Sequence, residues 1–437
     1  VAVTDSPGEG RVWLAGGGPL VAEPVWTRYD ALADARCYGF DCFAGRQSEL
    51  DTTDTGTGTV YFHDRAKVID YDLVGLQVLL QLYDPVDDSW HIRWRGHIDD
   101  VARDLRDSSR APDLANVSFS CTGIFDYLGG CKMKPGFGDV APAGMNGVVF
   151  YEDELFDDRC IHLLDDAGLD TDMTVVFSGN IWVNETLYDI ASDSILQALR
   201  DATDAEFPSG VAQGYEDRFG RVAIHGRFAR FDPEATAATA SNWDFTRWSA
   251  ATREDVTSGV AQIRAFSYNA PRARIINSYL AWPRADENGF AFDRSLINDQ
   301  LVEDAASIAA YGHRGDDAPD LIIKEHADNG NTGAEECWLF GSFYVTNYSE
   351  PRKAVQNTVI QSLRPTDDRA AATFEFMCKA DISDAVQLTI DEADLADEAF
   401  FIDGIAVECR PAREADHITV TPNLTPASYY ATDVFNP

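Results

Sequence analysis

Between residues 90 and 98, Trp90, Ile92, Trp94 and Ile98 alternate with His91, Arg93, Arg95 and His97. A strand sends successive side chains to opposite faces, whereas a helix repeats every 3.6 residues or about that, so this spacing predicts a half-buried β-strand. Shorter strand-like runs occupy 57–62 and 76–82, with Gly, Asp and Pro between them. From residue 1 to about 125 the chain therefore reads as strands and turns, forming an antiparallel sheet or small barrel. Strand-like runs return at 261–268, 274–282 and 400–407, and the stretch from about 339 to 420 holds at least four strand candidates.

The middle of the chain breaks this pattern. Residues 129–147 are rich in Gly and Pro, which suits neither a regular helix nor a central strand, so a loop or linker is expected. Within 154–169, Leu155, Ile161, Leu163 and Leu164 recur near helical spacing and Gly168 supplies a stop. A second helix is expected over 191–203, where Ile195, Leu196 and Leu199 share a face and Ser192 or Asp193 can cap the first amides. Residues 215–225 place Gly220 between two extended runs, the pattern of a β-hairpin. The Ala/Thr run 236–239 reads as a surface excursion, and one more helix is expected near 301–310. No fixed-period repeat points to a solenoid or propeller.

At 437 residues the chain exceeds what one growing core accommodates, so several domains are expected. The expected fold is mainly β with an α+β middle region, built from small antiparallel β-barrels or sandwiches plus a helix–hairpin segment. Its divisions are a β-barrel-like domain at 1–128, a Gly/Pro-rich linker or loop at 129–150, a helix-and-hairpin domain at 151–260, and a second β-rich domain with a C-terminal tail at 261–437.

Acidic residues outnumber basic ones by 73 to 35, a formal charge of −38, which argues against the phosphate-neutralising surface that nucleic-acid binding needs. The 52 Asp beside 21 Glu, and six Lys beside 29 Arg, fit either a salt-adapted proteome or GC-rich coding. Salt screens such self-repulsion, so stability is expected to depend on it. No two of the eight cysteines have the two-residue gap of zinc ribbons or redox motifs. Most lie in apolar runs, as Cys121 and Cys378 do, which predicts buried, reduced thiols. With no basic-then-apolar leader pattern and no apolar run near about 18 residues, a soluble, intracellularly made protein without a membrane span is expected.

Motifs for chemistry are sparse. The histidines are scattered, no Gly-x-Ser-x-Gly elbow occurs, and Gly16, Gly17 and Gly18 run into Pro19 and Leu20 instead of a P-loop lysine. The oxygen-rich loops at 286–289 and 328–336 contain ligand types that calcium uses, but neither has the EF-hand register, and Asp, Asn and Gly are also what turns demand. Carboxylate neighbours such as Asp157 and Asp158, or Asp367 and Asp368, arise by chance in so acidic a chain. Trp243, Phe245 and Trp248 could stack on sugar rings, although packing is the commoner fate of such residues. No catalytic residue, cofactor or metal site is assigned.

Five segments, in order, resemble the minor tail proteins, or tail hubs, of long-tailed phages of the siphophage type. Cys42-Phe43-Ala44-Gly45-Arg46-Gln47-Ser48-Glu49-Leu50-Asp51, followed by 56–64, is similar to the family's opening, and Gly96-His97-Ile98-Asp99-Asp100 to its "GxIDD" strand. The helix at 194–204 with Asp217-Arg218-Phe219-Gly220-Arg221-Val222 resembles "DxxGRVxF" and what precedes it. Asp304-Ala305-Ala306-Ser307-Ile308-Ala309-Ala310-Tyr311-Gly312 is similar to "DAASIAxYG", and Phe401-Ile402-Asp403-Gly404-Ile405 to the closing strand. The resemblance implies a non-enzymatic virion structural protein at the tail tip, assembled in the host cytoplasm. It further implies a homotrimeric baseplate ring that contacts the distal tail or tail tube protein, the tape measure protein and fibre or spike proteins, with the genome passing through its lumen unbound. The alternative is a receptor- or glycan-binding tail protein. Some hubs of related tails carry a cysteine-bound iron–sulfur cluster, but the cysteines here are dispersed in sequence, so no cluster is carried over. Residues 428–432 read as part of a short docking tail.

Overall fold

In the computed structural model the described residues are 10–18, 20–30, 35–47, 52–64, 68–105, 115–142, 145–208, 211–227, 229–230, 247–251, 259–270, 274–286, 290–351, 354–364, 366–390, 393, 395–410 and 417–427. The expected excursion at 236–239 and the tail at 428–432 lie outside them. The fold is mainly β and multidomain, as the alternation implies.

The first strands are β1 (Gly10–Ala15), β2 (Thr27–Arg28), β3 (Ala35–Gly45), β4 (Asp54–Asp64), β5 (Gln77–Asp84), β6 (Ser89–Leu105) and β7 (Ala115–Thr122). In β4, Val60 and Phe62 are buried while Thr59, Tyr61 and His63 reach solvent. The alternation that opens the sequence reading is not confined to one face. Leu80 pairs with Trp94 but Gln81 with Ile92, so Arg93 is an extra residue, a β-bulge. An inserted residue reverses which face each later side chain takes. Trp94 and Ile98 accordingly enter the core, Trp90 and Ile92 stay half-buried, and Arg93 is buried with its guanidinium on the Ala380 carbonyl.

Next come α1 (Ile124–Gly130), β8 (Val148–Tyr151), β9 (Glu154–Leu155), α2 (Phe156–Asp166), β10 (Thr174–Val176), β11 (Ile181–Val183), β12 (Thr186–Asp189), α3 (Ile195–Glu206), β13 (Gln213–Glu216) and β14 (Val222–His225). Both expected helices are present, and so is the hairpin, with β13 antiparallel to β14. The cap of α3 is Ser194, whose hydroxyl accepts from the Gln197 amide at 3.3 Å, in place of Ser192 or Asp193. Asp193 is engaged one turn earlier, accepting the Asp189 amide.

The chain then runs through β15 (Arg247–Ala251), β16 (Ala261–Asn269), β17 (Ser278–Pro283), β18 (Leu301–Glu303), α4 (Ala305–Tyr311), β19 (Gly315–Leu321), β20 (Ile323–His326) and α5 (Gly333–Tyr348). It finishes with β21 (Ala354–Gln361), α6 (Ala370–Lys379), β22 (Ala385–Ile390), β23 (Leu395–Arg410) and β24 (His417–Pro426). The helix expected near 301–310 begins only at Ala305, after β18, because the Asp304 carboxylate accepts the Ala306 and Ser307 amides. The stretch from about 339 to 420, expected to hold at least four strands, holds β21, β22, β23 with the run at 400–407, and the start of β24, but the end of α5 and all of α6 lie within it. Helix α5 was not expected: Phe340, Phe343, Tyr344 and Val345 bury it on more than one side, so no polar stripe reveals its period.

One 13-stranded sheet runs β2-β1-β5-β6-β7-β4-β3-β23-β22-β15-β16-β21-β24. Because β23 also pairs with β24, the last six strands of that order close into a barrel. The N-terminal strands join it through the antiparallel β3–β23 pair, and one apolar cluster containing Phe40, Val60, Phe119, Ile405, Val407 and Val420 extends through both halves. A second cluster unites Phe156, Leu163, Ile195 and Phe207 with Tyr279, Phe340 and Tyr344. In that unit β11 pairs with β20, so the segments on either side of β15 and β16 share one core.

Candidate functional site

Buried ionic nodes hold these parts together. At the β3–β23 seam, Arg46 donates to Asp403 Oδ1 at 2.9 Å, and Arg230 donates to the same oxygen at 2.8 Å. The Thr425 hydroxyl donates to Asp403 Oδ2, and Asn423 Nδ2 donates to the Arg46 carbonyl at 2.8 Å. Just before Arg46, Gly45 has φ +94°, and a Cβ there would strike the Asp403 carbonyl, so the close approach of the two strands requires glycine. Burial alone would raise the Asp403 pKa, but the two guanidiniums outweigh it and hold the carboxyl below its ordinary value.

A second node lies in the other core. Arg227 donates to Glu206 at 3.2 Å and to Glu336 at 2.9 Å, both carboxylates being fully buried. Glu206 Oε2 also accepts the Asn180 and Ile181 amides at 2.9 and 3.1 Å, so α3, α5 and the chain after β14 are fastened together. The third node is Glu216, at the end of β13, which accepts the Gly56 amide at 2.8 Å and the Phe125 amide. Burial pushes its pKa up to about 7, the two amides offsetting only part of the desolvation. Its neighbour Asp217 is raised to about 6 by burial despite its 2.7 Å contact with Arg221.

The first node uses residues of the family-like segments, and two contacts outside the nodes use others. Arg46 and Asp403 come from the first and last of them, Asp217 and Arg221 from the third, and Asp304 caps α4 in the fourth. The signal in sequence was an acid inside the apolar run around Asp403. Nothing local marked Glu206, Arg227 or Glu336.

The sequence candidates for chemistry fall elsewhere. Asp157 and Asp158 sit in the first turn of α2, where successive residues diverge around the helix and acids favour the positive end of its dipole. Asp367 accepts the Arg364 amide in an exposed turn, and Asp368 is exposed beside it. In the loop 328–336, Asn329 accepts the Asn331 amide, and Thr332 with Glu335 forms the capping box of α5. Asp286 Oδ1 accepts the Phe290 amide, and residues 287–289 lie outside the described residues. Trp248 packs edge-on against Phe376 and donates its indole N–H to Asp384 at 2.8 Å, while Trp243 and Phe245 lie outside the described residues.

Among the described residues, three Asp/Glu/His groups bring possible ligand atoms within 4.8 Å of one another: Asp84, Asp87 and His91; His97, Asp99 and Asp126; Asp139, Glu154 and His162. Lys379 lies 3.8 Å from Asp87 and Arg159 lies 3.7 Å from Glu154, so the first and third already face a protein cation. The second has two exposed carboxylates around His97. Ser383 Oγ lies 3.0 Å from His225 Nε2, but both residues are buried and Nδ1 faces the Gly226 carbonyl, not an orienting carboxylate. Burial and Arg230 lower the His225 pKa to about 3, so the imidazole is neutral. The eight cysteines lie outside any disulfide, and burial raises the Cys37 and Cys42 thiols to about 12, which suits inert packing.

No protein-family model and no curated protein sequence matches the chain. Among solved structures, the tail protein from Neisseria meningitidis MC58 is similar with a TM-score of 0.55 and 11% identity, over 96% of this chain and 98% of that one. Prophage tail protein gp18 from Listeria monocytogenes EGD-e gives a TM-score of 0.43 at 9% identity, over 94% of each chain. The Escherichia coli c3393 protein, described as a type VI secretion component with structural similarity to T4 tail proteins gp27 and gp5, gives 0.45 at 9% identity, over 92% of this chain and 76% of that one. The likeness to the Neisseria protein spans both chains almost end to end, and the two share a fold.

Proposed function

We propose that the chain is a structural hub protein of a viral tail tip. In this reading it forms a homotrimeric ring that joins the tail tube or distal tail ring to fibres or spike and surrounds the DNA exit channel. The observation that carries the proposal is the fold shared with the Neisseria tail protein over 96% of this chain and 98% of that one. The five family-like segments support it independently of that fold.

The physical design suits a connector. A continuous sheet, two buried ion-pair nodes and the buried Glu216 carboxyl tie distant parts of the chain into a stiff body, because each loses several bonds if either side moves. The formal charge of −38 keeps DNA phosphates from adhering to the ring while they pass. Tape measure, distal tail and fibre or spike proteins are the partners expected of such a hub.

The test is native mass in low and high salt, followed by imaging of tails that carry the chain. A trimer on the tail axis at the tip is the expected result. A chain that stays monomeric in high salt and occupies a position away from the axis would overturn the hub reading.

A further inference from the structure

The bulge in β6 turns Arg93 inward, and one of its guanidinium nitrogens donates to the Ala380 carbonyl. Its Nε is buried as well, and among the described residues it reaches no acceptor. Burial lowers the pKa of Arg93 and raises that of Asp381, and in each case the largest opposing pull comes from the other residue. The two charges therefore face each other. Even so, among the described residues the one cation in ion-pair range of Asp381 is Arg218, whose Nε stands 3.9 Å from Oδ2. Asp381 Oδ1 accepts the Ile382 amide at 2.9 Å and Oδ2 the Arg218 amide at 3.0 Å, which leaves each oxygen a second lone pair.

Arg93, Arg218 and Asp381 line one narrow cavity of about 10 Å³, whose other walls include Cys42, Ile405 and Val407. That is about the room one water molecule takes, and too little for a phosphate or a sugar. Size and polarity together decide the occupant. A purely apolar cavity stays dry, whereas a buried water is held by about two to four polar partners. Here an unused N–H of a cation and unused lone pairs of a carboxylate open on the same space. A halide is larger, and it would set a second anion beside Asp381.

We propose that one ordered water occupies this cavity, accepting from Arg93 Nε and donating to Asp381, so that the cation and the acid pair through it. Arg93 lies on an N-terminal strand, Arg218 in the turn between β13 and β14, and Asp381 in the loop that enters β22 of the C-terminal barrel. The water is thus a bond shared by three parts of the chain. At the β3–β23 seam, Arg46 and Arg230 meet Asp403 directly, while this junction closes through water. The bulge then has a physical reason, since the inserted residue brings the donor to the water.

A crystal structure of the wild-type chain, at a resolution that shows ordered water, tests this. A density peak within hydrogen-bond distance of Arg93 Nε and an Asp381 oxygen is the expected result. No peak there, or Arg93 in direct contact with Asp381, overturns the proposal. A second arm uses Val407→Ile, which adds one methyl group at the cavity wall. Its thermal midpoint is expected to fall below wild type, because the methyl displaces the water and leaves the two charges unbridged. In the background of Arg93→Met with Asp381→Leu, the same change is expected to leave the midpoint unchanged or raise it, since no polar group then needs the space. A gain in the wild-type background, or an equal loss in both, overturns the proposal. If the double variant fails to fold, the wild-type map decides alone.

Discussion

Arg46 and Asp403 stand 357 positions apart in the chain, yet the guanidinium of one donates to the carboxylate of the other at 2.9 Å with both side chains buried. Their bond lies on the β3–β23 seam, the pairing through which the N-terminal strands join the C-terminal barrel. Folding of the seam therefore requires both ends of the chain.

Removing Asp403 leaves Arg46 and Arg230 facing each other without their shared carboxylate. Asp403→Ala is expected to destabilise the fold by about 3–5 kcal/mol, read by chemical denaturation. A volume-matched apolar replacement of all three residues is expected to recover most of that loss. Equal stability of Asp403→Ala and wild type would show that the seam does not depend on this node.

Acidification within the mildly acidic range is expected to stabilise the protein. The folded pKa of Glu216, about 7, and of Asp217, about 6, both lie above their ordinary values of 4.5 and 3.8. Between those limits the folded state binds more protons than the unfolded state, so stability is present at low pH and lost as pH rises toward about 7. The Glu216 contribution is on the order of 2–4 kcal/mol. Thermal midpoints from pH 4.5 to 7.5 check this, and Glu216→Gln is expected to flatten the profile.

Gly56 and Gly123 both crowd the Glu216 carboxylate, so a Cβ added at either position would collide with it. Gly56→Ala and Gly123→Ala are each expected to cost about 1–3 kcal/mol. Because both methyls displace the same side chain, the double variant should cost less than the sum of the two single changes. Strict additivity in a double-mutant cycle would separate the two effects and contradict the shared cause.

With 73 acidic residues against 35 basic ones, screening should stabilise the fold. The Debye length falls from about 10 Å at 0.1 M salt to about 3 Å at 1 M. The thermal midpoint and the associated fraction are both expected to rise over that range. A flat response in calorimetry and native mass would remove self-repulsion as a determinant.

Thr332 and Glu335 form the capping box of α5, which engages oxygens of the loop 328–336 in helix initiation. Thr332→Ala is expected to cost about 1 kcal/mol. Millimolar calcium should leave the wild-type midpoint unchanged. A calcium-dependent rise that Thr332→Ala abolishes would assign the loop to ion binding instead.

Local sequence was a sufficient guide wherever local geometry decides the outcome. The alternation in β4, the apolar face of α3, the β13–β14 hairpin and the run at 400–407 in β23 were legible because strand and helix periods place side chains by near neighbours alone. The bulge at Arg93 was not, since an inserted residue shows only against a partner strand. Helix α5 was hidden because burial on several sides removes the polar stripe that reveals a helix.

The sequence by itself determined the mainly β class, the helical interruption, the acidic surface and the sparseness of catalytic motifs. Tertiary structure alone decided that Arg46 meets Asp403, that Arg227 bridges Glu206 and Glu336, and that β24 returns to β23 to close a barrel. Charged residues carry no local period, and among so many acids the buried ones look like the rest until strand pairing selects them. What selects them is the low-dielectric interior, where an uncompensated charge is costly and only the assembled fold supplies its partner.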